Sequence, residues 1–261
     1  VTGMVLICFL FNVYTRVASK TGNTQNSTSI AGRPVHTTII KSGNIGMQNF
    51  SVRGSSYAYC GLYVGGLGNA DYDGSDRIAI VEGGNVANIN GGLAVQNGSS
   101  VKTYIYVKGG SVQNIVGGAG VSQTYGDRIV QVTGGGVAYS VSGGSNGYLA
   151  DTNSSTGDNG RMNGNTLVYV GGNAKIGTEG TGSTLYEVVA GSVMGAGNGS
   201  ARYSENSGRV FGSHVIIDGE AEIYNSVFGG GNYGVVGQDV TVAQTPRITF
   251  TNQYLNIEAN R

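Results

Sequence analysis

The chain has 261 residues, 48 of them Gly and only 2 Pro, with no Gly-X-Y period, which excludes collagen. Fifteen Lys and Arg balance fifteen Asp and Glu, and charged residues make up 11%, unlike a polybasic nucleic-acid binder or an acidic solvating tail. Two Cys and two His exclude a disulfide framework and leave little room for metal or acid–base chemistry.

In chain order, the first feature is the apolar run from Met4 to Phe11. It is too short to cross a bilayer, so no transmembrane span is expected. Its length fits a signal-peptide core, but no basic segment precedes it and no small-residue cleavage pattern follows closely. It reads as a buried or partner-capped strand, with Val5, Leu6, Ile7, Phe9, Leu10 and Phe11 as candidate assembly residues. Whether Cys8 pairs with Cys60 is left open.

A repeat comes next. Gly-Gly pairs begin at Gly65, Gly91, Gly117 and Gly143, each 26 residues after the last. A second set begins at Gly83, Gly109 and Gly135 with the same step. Apolar residues keep the period: Tyr63, Ile89, Ile115 and Val141 form one column, Ile78, Tyr104 and Val130 a second, and Ile80, Tyr106 and Val132 a third. Val86 and Val112 start a fourth, which Val137 continues after a one-residue slip. Asp76-Arg77-Ile78 recurs as Asp127-Arg128-Ile129. Each unit reads as two short β-branched strands broken by Gly-Gly turns. Downstream, TLVYVGGNAKIG, TLYEVVAGSVMGAG and HVIIDGEAEIYNSVFGGG read as further copies, and TTIIKSGNIGMQNFSV as an early one. Two polar stretches, 145–165 and 196–208, read as insertions on turns.

No single unit can bury its apolar face, but stacked units can. The expected fold is therefore all-β: a parallel β-helix, or β-solenoid, of about eight coils of roughly 26 residues with variable loop insertions. A β-propeller or β-prism is the alternative. Residues 1–36 are expected to be an apolar strand and polar linker, 37–237 the repeats, and 238–261 two alternating strands that cap the end or contact a neighbouring subunit.

The segment Ser226 to Gly234, SVFGGGNYG, with weaker copies at Val64 to Asn69 and Val116 to Gly120, resembles the Gly-rich repeats of large bacterial cell-surface proteins. The resemblance implies a secreted, repetitive, adhesin-like or fibre-forming protein, and it carries no catalytic residues.

Several motifs invite a chemical reading. Asn69, Asp71, Asp73 and Asp76 alternate like the start of a calcium loop, making Ca2+ the one candidate cofactor; the bidentate Glu is missing, with Ile80 in its place, and a turn that bonds its own backbone is the competing reading. Tyr57, Tyr59, Tyr72 and Tyr203 are candidate glycan contacts. Asp218, Glu220 and Glu222 alternate on one expected strand, near His214, and offer a carboxylate pair for polysaccharide chemistry. Gly143-Gly144-Ser145-Asn146-Gly147 fits a nucleophile elbow, and Gly229, Gly231 and Gly234 a dinucleotide loop, but neither has its helix.

The leading expectation is an extracellular or cell-surface structural protein, a homo-oligomeric or polymeric fibre or layer subunit joined by strand addition. An adhesin or glycan-binding module is the second reading and a polysaccharide-active β-helix enzyme the third. No nucleic-acid partner is expected.

Overall fold

A computed structural model describes residues 29–30, 33–46, 50–52, 55–57, 61–64, 76–92, 102–119, 124–146, 160–179, 189–199, 208–232, 234 and 236–237. The N-terminal run Val5 to Phe11, both cysteines and residues 238–261 lie outside them. The described residues are all-β, with two large sheets that are parallel but for one antiparallel edge strand, and contain no helix.

The first sheet runs, in space as in sequence, through Arg33–Ile40, Asp76–Val81, Thr103–Val107, Arg128–Val132, Asn165–Val170 and Gly212–Ile217. Ser29–Ile30 turns back antiparallel on the outer edge of the first strand. Between visits to this sheet the chain crosses to the second. Each level of the stack is one first-sheet strand together with the second-sheet segments that come after it in the chain. In two levels the second-sheet strand is unbroken: Asn85–Asn90 pairs in parallel with Ser111–Val116. In others it is split. Asn44–Ile45 and Leu62–Tyr63 both pair with Asn85–Asn90. Gly136–Val137 and Ser140–Ser142 both pair with Ser111–Val116.

Parallel pairing explains the sequence columns and corrects three of them. In the first sheet the register runs Thr37, Ile78, Tyr104, Ile129, Leu167, His214. Val130, expected in this column, pairs with Ile105 instead, and Val132, expected beside Tyr106, pairs with Val107. One residue fewer separates these levels than the period predicts, and a one-residue shift moves a side chain to the opposite face. Likewise Leu62, not Tyr63, pairs with Ile89. The column Val86, Val112, Val137 has the register expected, slip included. TLYEVVAGSVMGAG is not a separate repeat: Ser192–Met194 pairs with Ser140–Ser142, and Lys175–Ile176 with Gly136–Val137, so both belong to one level.

The alternation of each strand sends one set of residues between the sheets. Ile40, Val81, Val107, Val132 and Val170 form one inward column, and Ala79, Ile105, Val130 and Val168 another; from the second sheet they meet Val86, Val112, Val137 and Ile176, with Ile89, Ile115, Val141 and Val193. These residues pack as one cluster, and burying each large aliphatic side chain is worth about 1.5–3 kcal/mol. The opposite face of the first sheet is apolar too: Ile78, Tyr104, Ile129 and Leu167 are buried there, with Tyr104 stacked on Tyr106. Both faces of the central strands are thus out of water, which is why they read as near-continuous apolar runs.

Glycine makes the corners. Gly84, Gly110 and Gly135, with φ of 82°, 81° and 74°, turn the chain from the first sheet to the second in successive levels. At the far end of the second sheet Gly91, Gly117, Gly143 and Gly195 stack on one another: a Cβ on each would lie closer than 3.0 Å to the carbonyl oxygen of the next glycine in the column. Only the last member, Gly229, has nothing within 4 Å of where a Cβ would stand.

Gly117→Ala is therefore expected to destabilise the fold by about 1–3 kcal/mol, the range for forcing extra volume into a packed interior. Gly229→Ala is expected to leave stability within about 0.5 kcal/mol. Denaturant unfolding of the two variants checks the difference, and equal stability would contradict the stacking.

Candidate functional site

Of the four suggested calcium ligands, Asn69, Asp71 and Asp73 lie outside the described residues. Asp76 is buried, and its Oδ1 accepts the backbone N–H of Lys102 at 2.8 Å. Asp127, in the corresponding place two levels on, accepts the backbone N–H of Asn165 at 3.0 Å and its Nδ2 at 3.2 Å. Each aspartate thus closes a backbone donor at the start of the next first-sheet strand. The repeated Asp-Arg-Ile thus places matching aspartate-to-backbone bonds two levels apart. Among the described residues no group of three or more His, Cys, Asp or Glu side chains is placed to hold a metal ion.

Arg128 comes directly after Asp127 and is buried. Desolvation pulls its guanidinium down to about 10, against the opposing pull of Asp127 and Asp76. Its Nη1 donates to the Asp127 carbonyl at 3.0 Å.

Ser145, the would-be nucleophile, is fully buried. Its Oγ accepts the backbone N–H of Ala119 at 3.1 Å and lies 3.4 Å from Thr124 Oγ1. It bonds the neighbouring level. Gly231 and Gly234 pack against the Gly197 carbonyl, so this glycine loop is a stacked corner. Asn232 Nδ2 donates to Asn198 Oδ1 at 3.0 Å, and Asn198 pairs in turn with Asn146. The asparagine of the Gly-Gly-Gly-Asn motif is therefore a rung between levels.

Tyr57 lies in Ser55–Tyr57, antiparallel to Phe50–Val52. Tyr59, Tyr72 and Tyr203 lie outside the described residues.

The three carboxylates Asp218, Glu220 and Glu222 do not share a strand. The first-sheet strand ends at Ile217, the chain turns at Gly219 with φ of 63°, and Glu222 belongs to the second sheet. The alternation read from the sequence crosses a corner. Asp218 accepts from Tyr169 Oη at 3.3 Å and from the Gly219 N–H at 2.7 Å. Burial, and then Asp218, push the Tyr169 phenol up. His214 is exposed on the outward face, in register with Leu167.

A cluster the sequence reading missed forms around Glu222. Tyr224 Oη donates to Glu222 Oε2 at 2.6 Å, and Lys175 Nζ lies 2.9 Å from Glu222 Oε1. Glu222 and Tyr224 stand two residues apart, a spacing that puts side chains on one face of an extended chain and was visible in advance. Lys175 was not, because its partner Glu222 lies far along the chain and meets it only through the strand register. Tyr139 is exposed at a similar point two levels away: its carbonyl accepts from Gly191 N–H, and the Gly191 carbonyl from Asn225 N–H.

Compared with protein-family models, with curated proteins and with solved structures, the chain matches none.

The hydrogen bond from Tyr224 and then the contact with Lys175 hold the Glu222 carboxyl below its usual range, while Glu222 raises Lys175 and Tyr224. A depressed carboxyl contributes stability above its unfolded pKa and loses it as pH falls through the folded one. Tyr224→Phe and Lys175→Met are each expected to move the Glu222 midpoint upward in a carbon-detected NMR titration. An unmoved midpoint in both variants would refute the cluster.

Proposed function

We propose that the chain is a β-solenoid that serves as an extracellular structural protein, a subunit of a surface fibre or layer. The observation that carries this reading is where the polar side chains go. Asp76, Asp127, Ser145, Asn198 and Glu222 each bond or pair with another level of the same chain, so these polar groups serve the stack. In-register parallel pairing through six levels supports the solenoid itself, as does a short third column in which Thr124 pairs with Met162 and Val210 with Val236. The resemblance to Gly-rich surface repeats and the sparse charge support the extracellular setting.

Negative-stain electron microscopy of the purified chain, beside a variant lacking residues 1–20, tests the reading. Filaments that disappear on truncation are expected. Monodisperse short rods in both samples would overturn the fibre.

One observation favours glycan binding as a second reading. Tyr139 and Tyr224 are 43% and 38% exposed in a protein whose other described tyrosines are mostly buried or half-buried, and Glu222 and Lys175 stand beside Tyr224. Amphipathic rings flanked by charged hydrogen-bonding groups suit the apolar faces and hydroxyls of sugars. Tyr139→Ala with Tyr224→Ala is expected to lower retention on an oligosaccharide array about tenfold or more, the loss of roughly 1.4 kcal/mol. Unchanged retention, or none by the parent chain, would dismiss it.

A further inference from the structure

The two ends of the stack differ. Ile40, in the first level, is 0% exposed, as are Val81, Val107, Val132 and Val170 in register with it, yet Ile217, which continues their column in the last level, is 40% exposed. Val141 and Val193 are 0% exposed, yet Val227, next in their column, is 48% exposed. Of the five exposed large hydrophobic residues among those described, Ile217, Tyr224, Val227 and Val236 belong to this last stretch. The outer edge of Gly212–Ile217 has no further strand beside it among the described residues. Such an edge is a template for another strand.

The chemistry of this end fits a second copy of itself. Head-to-tail stacking would set Asp218 beside Lys41 of the next copy, but it needs an open first level. There Ile40 is covered, and Ser29–Ile30 already lies on the outer edge of Arg33–Ile40. Two last levels can meet instead, about a two-fold axis perpendicular to the first sheet. That axis pairs the two edges antiparallel and keeps each face of the sheet on its own side, so sheet and core continue from one copy to the other. Val215 packs against the core, Ile217 follows it in the same alternation, and His214, near the middle of the strand, is exposed on the outer face. Arg209 precedes the strand, and Asp218 and Glu220 follow it. Antiparallel alignment brings the cationic start of each edge to the acidic end of the other, whereas parallel alignment of two such edges would set carboxylate against carboxylate.

We propose that this last level is the interface of a two-fold dimer, in which the Gly212–Ile217 edges of two copies of the chain pair antiparallel and cover Ile217 and Val227. The proposal does not rest on the fibre reading, which concerns the opposite end of the stack.

Light scattering with gel filtration, together with single-cysteine cross-linking, tests it. The 26.7 kDa chain is expected to elute at twice that mass at micromolar concentration, and a monomer would overturn the proposal. Ile217→Lys with Val227→Lys is expected to weaken the dimer about a hundredfold or more. Tyr139→Lys, exposed but in an earlier level, is expected to leave it unchanged. Equal dissociation constants in the double variant and the parent would place the interface elsewhere. Cross-linking guards against a folding defect in the lysine variants. With Cys8→Ser and Cys60→Ser as background, His214→Cys alone is expected to link to its own copy through a short bis-maleimide, because a two-fold sets central residues beside themselves. Lys108→Cys, exposed in the middle of the stack, is expected not to. A dimer in which His214→Cys stays unlinked, or links no more than Lys108→Cys, would refute the two-fold.

Discussion

Backbone must lie directly on backbone at the corners of this molecule, and the rest of the structure depends on that contact. Parallel strands stack about 4.8 Å apart. At Gly91, Gly117, Gly143 and Gly195 the chain turns so tightly that the carbonyl of the following level fills the place of a Cβ. Only glycine permits this, and the cost in conformational entropy is correspondingly large. The β-branched columns between the corners offset it by burying Val and Ile from both sheets in one core. Composition and fold are thus one fact: a chain this rich in glycine is ordered because its glycines recur where levels touch.

Polar residues obey the same rule. Ser140 Oγ donates to Asn114 Oδ1 at 2.8 Å, and Asn85 Nδ2 to Asn44 Oδ1 at 2.7 Å. Each bond joins different levels. A motif that looks chemical in one dimension, such as the serine between glycines at 145, becomes a rung once the level beside it is in place. Buried polar groups need partners, and here the partner comes from a neighbouring level.

How far the sequence revealed this depended on loop length. Where successive levels have equal length, as between Ile78 and Tyr104 or Ile89 and Ile115, the period of 26 and the pairing coincide. Between Tyr104 and Ile129 the level is one residue shorter, and counting by 26 put Val130 on the wrong face. Beyond Val170 long segments separate paired strands, so Ser192–Met194 looked like a new repeat when it completes an old one. The carboxylates near 220 were misplaced for a related reason: strand alternation was extended through a glycine corner where the chain changes sheets. The calcium-like aspartates illustrate the limit of local pattern, since the partner of Asp76 is 26 residues away. Glu222 with Tyr224 was legible by spacing alone, but Lys175 needed the register.

The unequal levels have a mechanical consequence. First-sheet partners are separated by 41, 26, 25, 38 and 47 residues in succession, from Thr37 through Ile78, Tyr104, Ile129 and Leu167 to His214. Under tension from its ends, a stack that peels one level at a time releases hidden chain in steps of those lengths. At about 3.4 Å per residue the shortest steps free roughly 90 Å and the longest roughly 160 Å. A perfect repeat would ring at one length, whereas this one carries its own ruler, and the order of extensions would tell which end yields first.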